Sequence, residues 1–278
     1  MNATKTLAIT AATSIFALVA TQPSAQAYRL FFGEDLNNGW ASSTPLSSTP
    51  KASAAQNDFL SGLVGSQVET FEGFSDGTKG PINLDFGAAG VATLKGNGTI
   101  KHQASGTTDF GRYATSGEKF LQVQPYINRD DRHTRRFSID FSQEVAAFGF
   151  NGVDIGDFGG QLSLTLNLAN GGQKTVTVPN TQSGSGGTSG SALYFGLIAE
   201  NDDELINSVS FNMTAPPLIF APEGISPEGS YEDLFAFDNM TIASKAQVAA
   251  KTPEPASVLG LLAVGAMGAV TGLKRKAN

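Results

Sequence analysis

From about Val68 onward, apolar and polar positions alternate with a period of two. Phe137, Ile139 and Phe141 share one parity, as do Leu162, Leu164, Leu166 and Leu168, then Val176 and Val178, then Val209, Phe211 and Met213. Phe235 and Phe237 open a further run. Side chains on a strand point alternately to opposite faces, so this parity predicts strands with one face buried. Asn170-Gly171-Gly172, between the Leu run and the Val run, is a hairpin signal. With the apolar stretches at 82–86, 91–94, 120–123, 145–150 and 192–198, the pattern predicts about ten to twelve strands at the spacing of a sandwich. Helical spacing occurs once in this body, at Phe59, Leu60 and Leu63, and predicts one short helix over 54–63.

The expected architecture is all-β: an antiparallel β-sandwich of jelly-roll type. The 19 Phe residues then line its inner faces, and the 32 Gly residues serve turns and bulges. Residues 68–244 form the predicted sandwich domain. Residues 28–67 form a lead segment in which Tyr28–Phe32 is a candidate edge strand, and 245–251 form a linker.

The two ends of the chain break the pattern. Met1–Ala27 has a basic residue at Lys5, an apolar run over Leu7–Ala20 and the small-residue site Ala25-Gln26-Ala27. This is the layout of a secretory signal peptide, cut after Ala27 by signal peptidase. At the other end, Pro253-Glu254-Pro255 precedes Ala256–Leu273, a run without charge, and then Lys274-Arg275-Lys276. Eighteen helical residues span roughly 27 Å, near the lower limit for crossing a bilayer. The basic flank predicts a cytoplasmic side for Lys274, Arg275 and Lys276, and the prolines set a clean start to the span.

Charge and composition narrow the chemistry. All 25 acidic residues lie within residues 28–255, whereas four of the 18 basic ones (Lys5, Lys274, Arg275, Lys276) lie outside, leaving this body at about −11. An acidic body argues against nucleic acid as a partner. Cysteine is absent, which removes disulfides and thiol chemistry. His102 and His133 are isolated, and no nucleophile elbow, phosphate loop or His-Glu-x-x-His motif occurs. The chain is therefore read as non-catalytic. Glu72, Asp154, Asp157 and Asp238 are candidate oxygen ligands for a structural calcium ion. Trp40 and Tyr126 lead a set of candidate aromatic platforms for sugar that also takes in Tyr113, Tyr194 and Tyr231.

Residues 252–278, with Pro253-Glu254-Pro255, the span and the basic end, closely resemble the PEP-CTERM sorting signal of bacterial exported proteins. The resemblance implies recognition of the tripeptide by an exosortase, a membrane-embedded cysteine transpeptidase, and removal of the tail after a transient stay in the inner membrane. A second resemblance rests on Tyr28–Asn38, Glu69–Phe74, Ala146–Phe150, Asp154–Asp157 and Asp233–Ile242. Together they look like the extracellular body of many PEP-CTERM proteins of cyanobacteria and other environmental bacteria, similar in pattern to lectin-like jelly rolls. The combined expectation is an exported protein of the cell surface or exopolysaccharide matrix with a structural or adhesive role. Its alternatives are a carbohydrate-binding module with a structural calcium ion and an extracellular polysaccharide hydrolase.

Overall fold

The computed structural model describes residues 28–37, 44–108, 111–123, 137–156, 159–183, 187–214 and 234–250. The signal peptide with Ala25 and Ala27, the motif Pro253-Glu254-Pro255, the apolar span and the basic flank Lys274-Arg275-Lys276 lie outside these residues. Among the described residues, no helix is long and apolar enough to cross a membrane.

In chain order the elements are β1 (Tyr28–Asp35), α1 (Pro50–Ser61), β2 (Gln67–Glu69), β3 (Ile82–Asp85), β4 (Val91–Lys95), β5 (Gly98–His102), β6 (Lys119–Val123) and β7 (Ser138–Val145). There follow β8 (Ala147–Val153), β9 (Gln161–Leu168), β10 (Gln173–Thr177), β11 (Ala192–Ala199), β12 (Ile206–Thr214) and β13 (Phe235–Ala243). All pairings are antiparallel, in two sheets. One sheet runs β1-β11-β8-β13-β6-β5, with β2 also on β13, and the other runs β10-β9-β12-β7-β4-β3. After β7 the chain passes back and forth between the sheets, as a jelly-roll sandwich requires.

The two sheets differ in how they use the period-two pattern. In β9, Leu162, Leu164 and Leu166 are buried while Gln161, Ser163 and Thr165 between them are half-exposed. By contrast every residue of β8 and of β13 is buried, because the outer face of their sheet is covered as well. Inside the sandwich, Phe137, Phe148, Phe150, Phe211, Phe235 and Phe237 interlock. The Phe150 and Phe237 rings stack with centroids 5.0 Å apart, and Phe137 meets Phe211 at 4.9 Å. Each such ring contributes about 1.5–3 kcal/mol by leaving water.

Helix α1 is half of the outer cover. It starts at Pro50, four residues before the expected boundary, because the Asp35 carboxylate at the end of β1 accepts the free N–H groups of Lys51 and Ala52. Proline suits this first position, where its missing N–H costs nothing. Phe59 is fully buried against Gly149 and Gly196, which face each other across β8 and β11. A methyl group on Gly196 would come within 2.6 Å of the Phe59 ring, and one on Gly149 within 3.1 Å. The paired glycines therefore form the slot that seats the helix.

The residues before and after the 68–244 body both pair with the sandwich, and the edge strand expected over Tyr28–Phe32 forms. β1 is an edge strand on β11, in register from Tyr28 opposite Ala199 to Asp35 opposite Ala192. Beyond β13, Ser244 and Gln247 form a capping box, Gln247 Nε2 donates to the Gly65 carbonyl, and the Ala249 N–H donates to the Gly62 carbonyl. The Asn170-Gly171-Gly172 hairpin forms as expected, with Gly171 in the left-handed region at φ 85°.

The pairing gives the sandwich two distinct ends. Tyr28, Ala199, Ala147, Ala243 and Ala249 mark one, here the terminal end. Asp35, Ala192, Val153, Ala236 and Val123 mark the other, the loop end.

Candidate functional site at the loop end

The second half of the outer cover is the segment from Gly111 to Lys119, and three acidic side chains hold it. Asp238 sits at a bulge in β13, where pairing with β8 jumps from Asp238 opposite Asn151 to Thr241 opposite Gly149. A bulge adds a residue to one strand and re-aims its side chains. Asn239 takes up the kink at φ 49°. One Asp238 oxygen accepts Thr115 N–H at 2.8 Å, Thr115 Oγ1–H at 2.8 Å and Ser116 N–H at 3.0 Å, and the other accepts Asn239 N–H at 2.7 Å. Asn239 Nδ2 in turn donates to Thr115 Oγ1 and to Asn151 Oδ1. Burial pushes the Asp238 carboxyl up to about 7, against the opposing pull of these four donors.

Glu72 holds the next turn. Its Oε1 accepts Glu118 N–H at 2.8 Å and Lys119 N–H at 2.7 Å. Lys119 Nζ returns the contact by donating to the carbonyls of Glu72 and Phe74. Gly117 lies at φ 64°, and a methyl group there would stand 2.4 Å from Glu72 Oε1. Only glycine fits this approach.

Asp154 holds the start of the segment. Its Oδ2 accepts Arg112 Nη1–H at 3.2 Å with both side chains buried, and its Oδ1 accepts Gly190 N–H at 3.1 Å. Tyr113 Oη–H donates to the Gly190 carbonyl, and burial pushes this phenol up to about 12. Phe71, Asp154 and Asn239 are the described non-glycine residues with positive φ, at 61°, 69° and 49°. Each is one of these carboxylate residues or its immediate neighbour. Left-handed non-glycine backbone costs about 1–3 kcal/mol and persists where its surroundings over-determine it.

Three of the four expected calcium ligands therefore have protein donors in this structure. Glu72, Asp154 and Asp238 each accept hydrogen bonds from the 111–119 segment or its neighbours. Among the described residues, no group of three or more His, Cys, Asp or Glu side chains is placed to hold a metal ion. Asp157 lies outside the described residues, as do Trp40, Tyr126, His133 and Tyr231. Tyr113 and Tyr194, expected as exposed rings, are buried: Tyr113 packs with Phe120 and Ala192, and Tyr194 packs with Phe59. Neither offers a face to a sugar. His102 is half-exposed on the sheet edge and pairs with Glu118 at 2.9 Å.

Arg112, Thr115 and Ser116 are the participants that sequence reasoning missed. Nothing local marks them, since their partners Asp154, Asp238 and Asn239 lie 42 to 123 positions away. Trp40 is nonetheless flanked by residues placed at this end. Asn37 N–H donates to Ser191 Oγ, and Asn37 Nδ2 donates to the Thr44 carbonyl.

At the terminal end, a cavity of about 280 Å³ lies between Arg29, Ile198, Asp202, Lys245 and Val248, beside Ala249 and Ala250. Lys245 pairs with Asp202 across it.

Known proteins resemble this chain in two respects. In three dimensions, similar structures include the K2 cleaved adhesin domain of Lys-gingipain, with 11% identity and a TM-score of 0.33 over 64% of this chain and 97% of that one. The CBM22-1 xylan-binding domain from Paenibacillus barcinonensis Xyn10C matches at 12% identity and a TM-score of 0.33, over 68% and 99%. CBM28, a module specific for non-crystalline cellulose, matches at 16% identity and a TM-score of 0.30, over 63% and 93%. The β-sandwich assignment rests on the strand pairing above and not on these distant likenesses. No curated protein matches the chain in sequence. In sequence, residues 251–276 match the PEP-CTERM protein-sorting motif. The chain thus carries a PEP-CTERM sorting motif, which implies export and processing by an exosortase.

Proposed function

We propose that this is a cell-surface or extracellular-matrix protein of the exopolysaccharide or biofilm type, with a non-catalytic structural or adhesive role. The sorting motif at 251–276 is the observation that carries the reading. Signal peptidase acts after Ala27, the span 256–273 rests in the inner membrane with Lys274, Arg275 and Lys276 on the cytoplasmic side, and an exosortase acts at Pro253-Glu254-Pro255. The acidic body, at about −11 over residues 28–255, suits solubility outside the cell. Cell fractionation tests this: the processed protein is expected in the surface or matrix fraction. A Glu254→Ala variant is expected to stay with the membrane at its unprocessed length. Processing of that variant at the normal rate would overturn the reading.

Carbohydrate binding at the loop end is the second reading. It is favoured by the position of Asn37 and Thr44 around Trp40, and of Val123 before Tyr126, at that end of the sandwich. Aromatic rings stack on the apolar face of a sugar while their edges stay wet. Affinity electrophoresis in soluble polysaccharides tests it. Retardation of the wild type that Trp40→Ala and Tyr126→Ala abolish supports this reading, and unretarded migration in every polysaccharide leaves the purely structural role.

A further inference from the structure

The body leaves its last described residue at a fixed place. Ala249 N–H donates to the Gly62 carbonyl at 2.9 Å, Val64 N–H donates to the Gln247 carbonyl at 2.7 Å, and Leu63 bridges to Val248. The exit of the tail is thus bonded to the turn after α1 rather than carried on a slack linker. That exit is at the terminal end. Tyr28, the first residue of β1, pairs with Ala199 there, and Arg29, Ala199, Ala249 and Ala250 line one cavity.

Only residues 251–255 separate Ala250 from the apolar run that begins at Ala256. Fully extended, this stretch reaches roughly 20 Å. An eight-residue strand such as β1 is itself about 26 Å long. A body on so short a tether cannot turn freely end over end. We infer that, before the tail is removed, the sandwich stands on the membrane with its terminal end toward the lipid. Its loop end, with the acid-held segment 111–119, then faces outward. The inference rests on reading 256–273 as a membrane span. Exposed Asp202 and Asp203 lie on the membrane-facing end. Asp202 is paired with Lys245 there, so Asp203 carries the unbalanced negative charge that this face turns toward anionic headgroups. The exosortase must then work within about 20 Å of Ala250, at the terminal end of the body.

The absence of cysteine makes the test direct. Gln182 lies at the loop end, where the adjoining Thr181 N–H donates to the Glu34 carboxylate beside Asp35. Protein of residues 28–278, as left by signal peptidase, carrying either Asp203→Cys at the terminal end or Gln182→Cys at the loop end, is labelled with a donor dye. It is then reconstituted into vesicles of phosphatidylcholine and phosphatidylglycerol that contain an acceptor headgroup lipid. Energy transfer is expected to be at least twofold stronger from position 203 than from 182. Inserting a 20-residue Gly-Ser linker after Ala250 is expected to abolish the difference. Equal or reversed transfer in the unmodified chain would overturn the orientation, as would a difference that survives the linker. Flotation with the vesicles is measured on the same samples. A chain that does not float refutes the span and the orientation together, whereas a chain that floats with equal transfer refutes the orientation alone.

Discussion

At the terminal end, the sandwich is closed by backbone. The carbonyls of Gly62, Gly65 and Gln247 receive N–H groups across the exit of the tail, and one amide side chain, Gln247, ties the last turn. At the loop end the same task falls to acids. Asp154 and Asp238 are buried, Glu72 is at the surface, and together they gather the donors of a segment that forms no regular strand until Lys119. Amide bonding does not change with pH, whereas a buried carboxylate is costly to desolvate and responds to protons and to loss of its partners. The ties at the exit of the tail are therefore indifferent to pH, apart from the exposed Lys245–Asp202 pair beside them, whereas the loop end is built on interactions whose strength the surroundings set.

The most severe break in this contrast is Asp154→Ala. It removes the carboxylate that faces buried Arg112 and is expected to destabilise the fold by about 3–5 kcal/mol, read from the urea midpoint. Replacing both partners at once (Arg112→Met with Asp154→Leu) is expected to recover much of that loss. Asp238→Asn comes next, at about 1–3 kcal/mol, because an amide nitrogen then meets a backbone or hydroxyl donor. This variant also tests the pH dependence. With its folded value raised to about 7 from 3.8, the native state holds a proton that the unfolded chain has lost between those values. The Asp238 contribution to stability is full below pH 4 and declines as pH rises to about 7. Chemical denaturation at pH 5 and pH 8 is expected to show a larger fall for the wild type than for Asp238→Asn; equal falls would refute the assignment.

Two smaller changes sharpen the contrast. Gly117→Ala forces a side chain into the left-handed region and against Glu72, and is expected to cost about 1–2 kcal/mol. At the terminal end, Gln247→Ala removes the capping box and the bond to Gly65 and is expected to cost about 1 kcal/mol, with the same value at pH 5 and pH 8. Differential scanning calorimetry at both pH values resolves each change, and a pH-dependent loss from Gln247→Ala would erase the proposed difference between the ends.

How legible this was from sequence depends on the distance over which each interaction acts. The Leu162–Leu168 strand, the Asn170-Gly171-Gly172 hairpin and the Phe core were readable because period two and turn chemistry are local. The start of α1 was not, since its cap comes from Asp35 on another element. The same holds for Tyr113, which the 111–119 segment lays against Val153, Ala192 and Ala236, and for Tyr194, which Phe59 of α1 covers. At the candidate site, Glu72, Asp154 and Asp238 stood out as acidic residues beside turns. Their partners did not, because hydrogen bonds spanning 36 to 123 positions leave no spacing to read. The C-terminal motif was legible for the opposite reason, being a contiguous string.

The placement of β13 has a consequence for the order of events during secretion. This strand, at 235–243, is the last among the described residues, yet it sits between β8 and β6 at the heart of its sheet. The first strand likewise waits for a partner 171 positions later, since Tyr28 pairs with Ala199. Such distant pairings form slowly and only once both strands are on the same side of the membrane. The sheet cannot close until Ala243 is on the same side of the membrane as β8 and β6. A chain truncated after Leu234 is accordingly expected to yield no protease-resistant core.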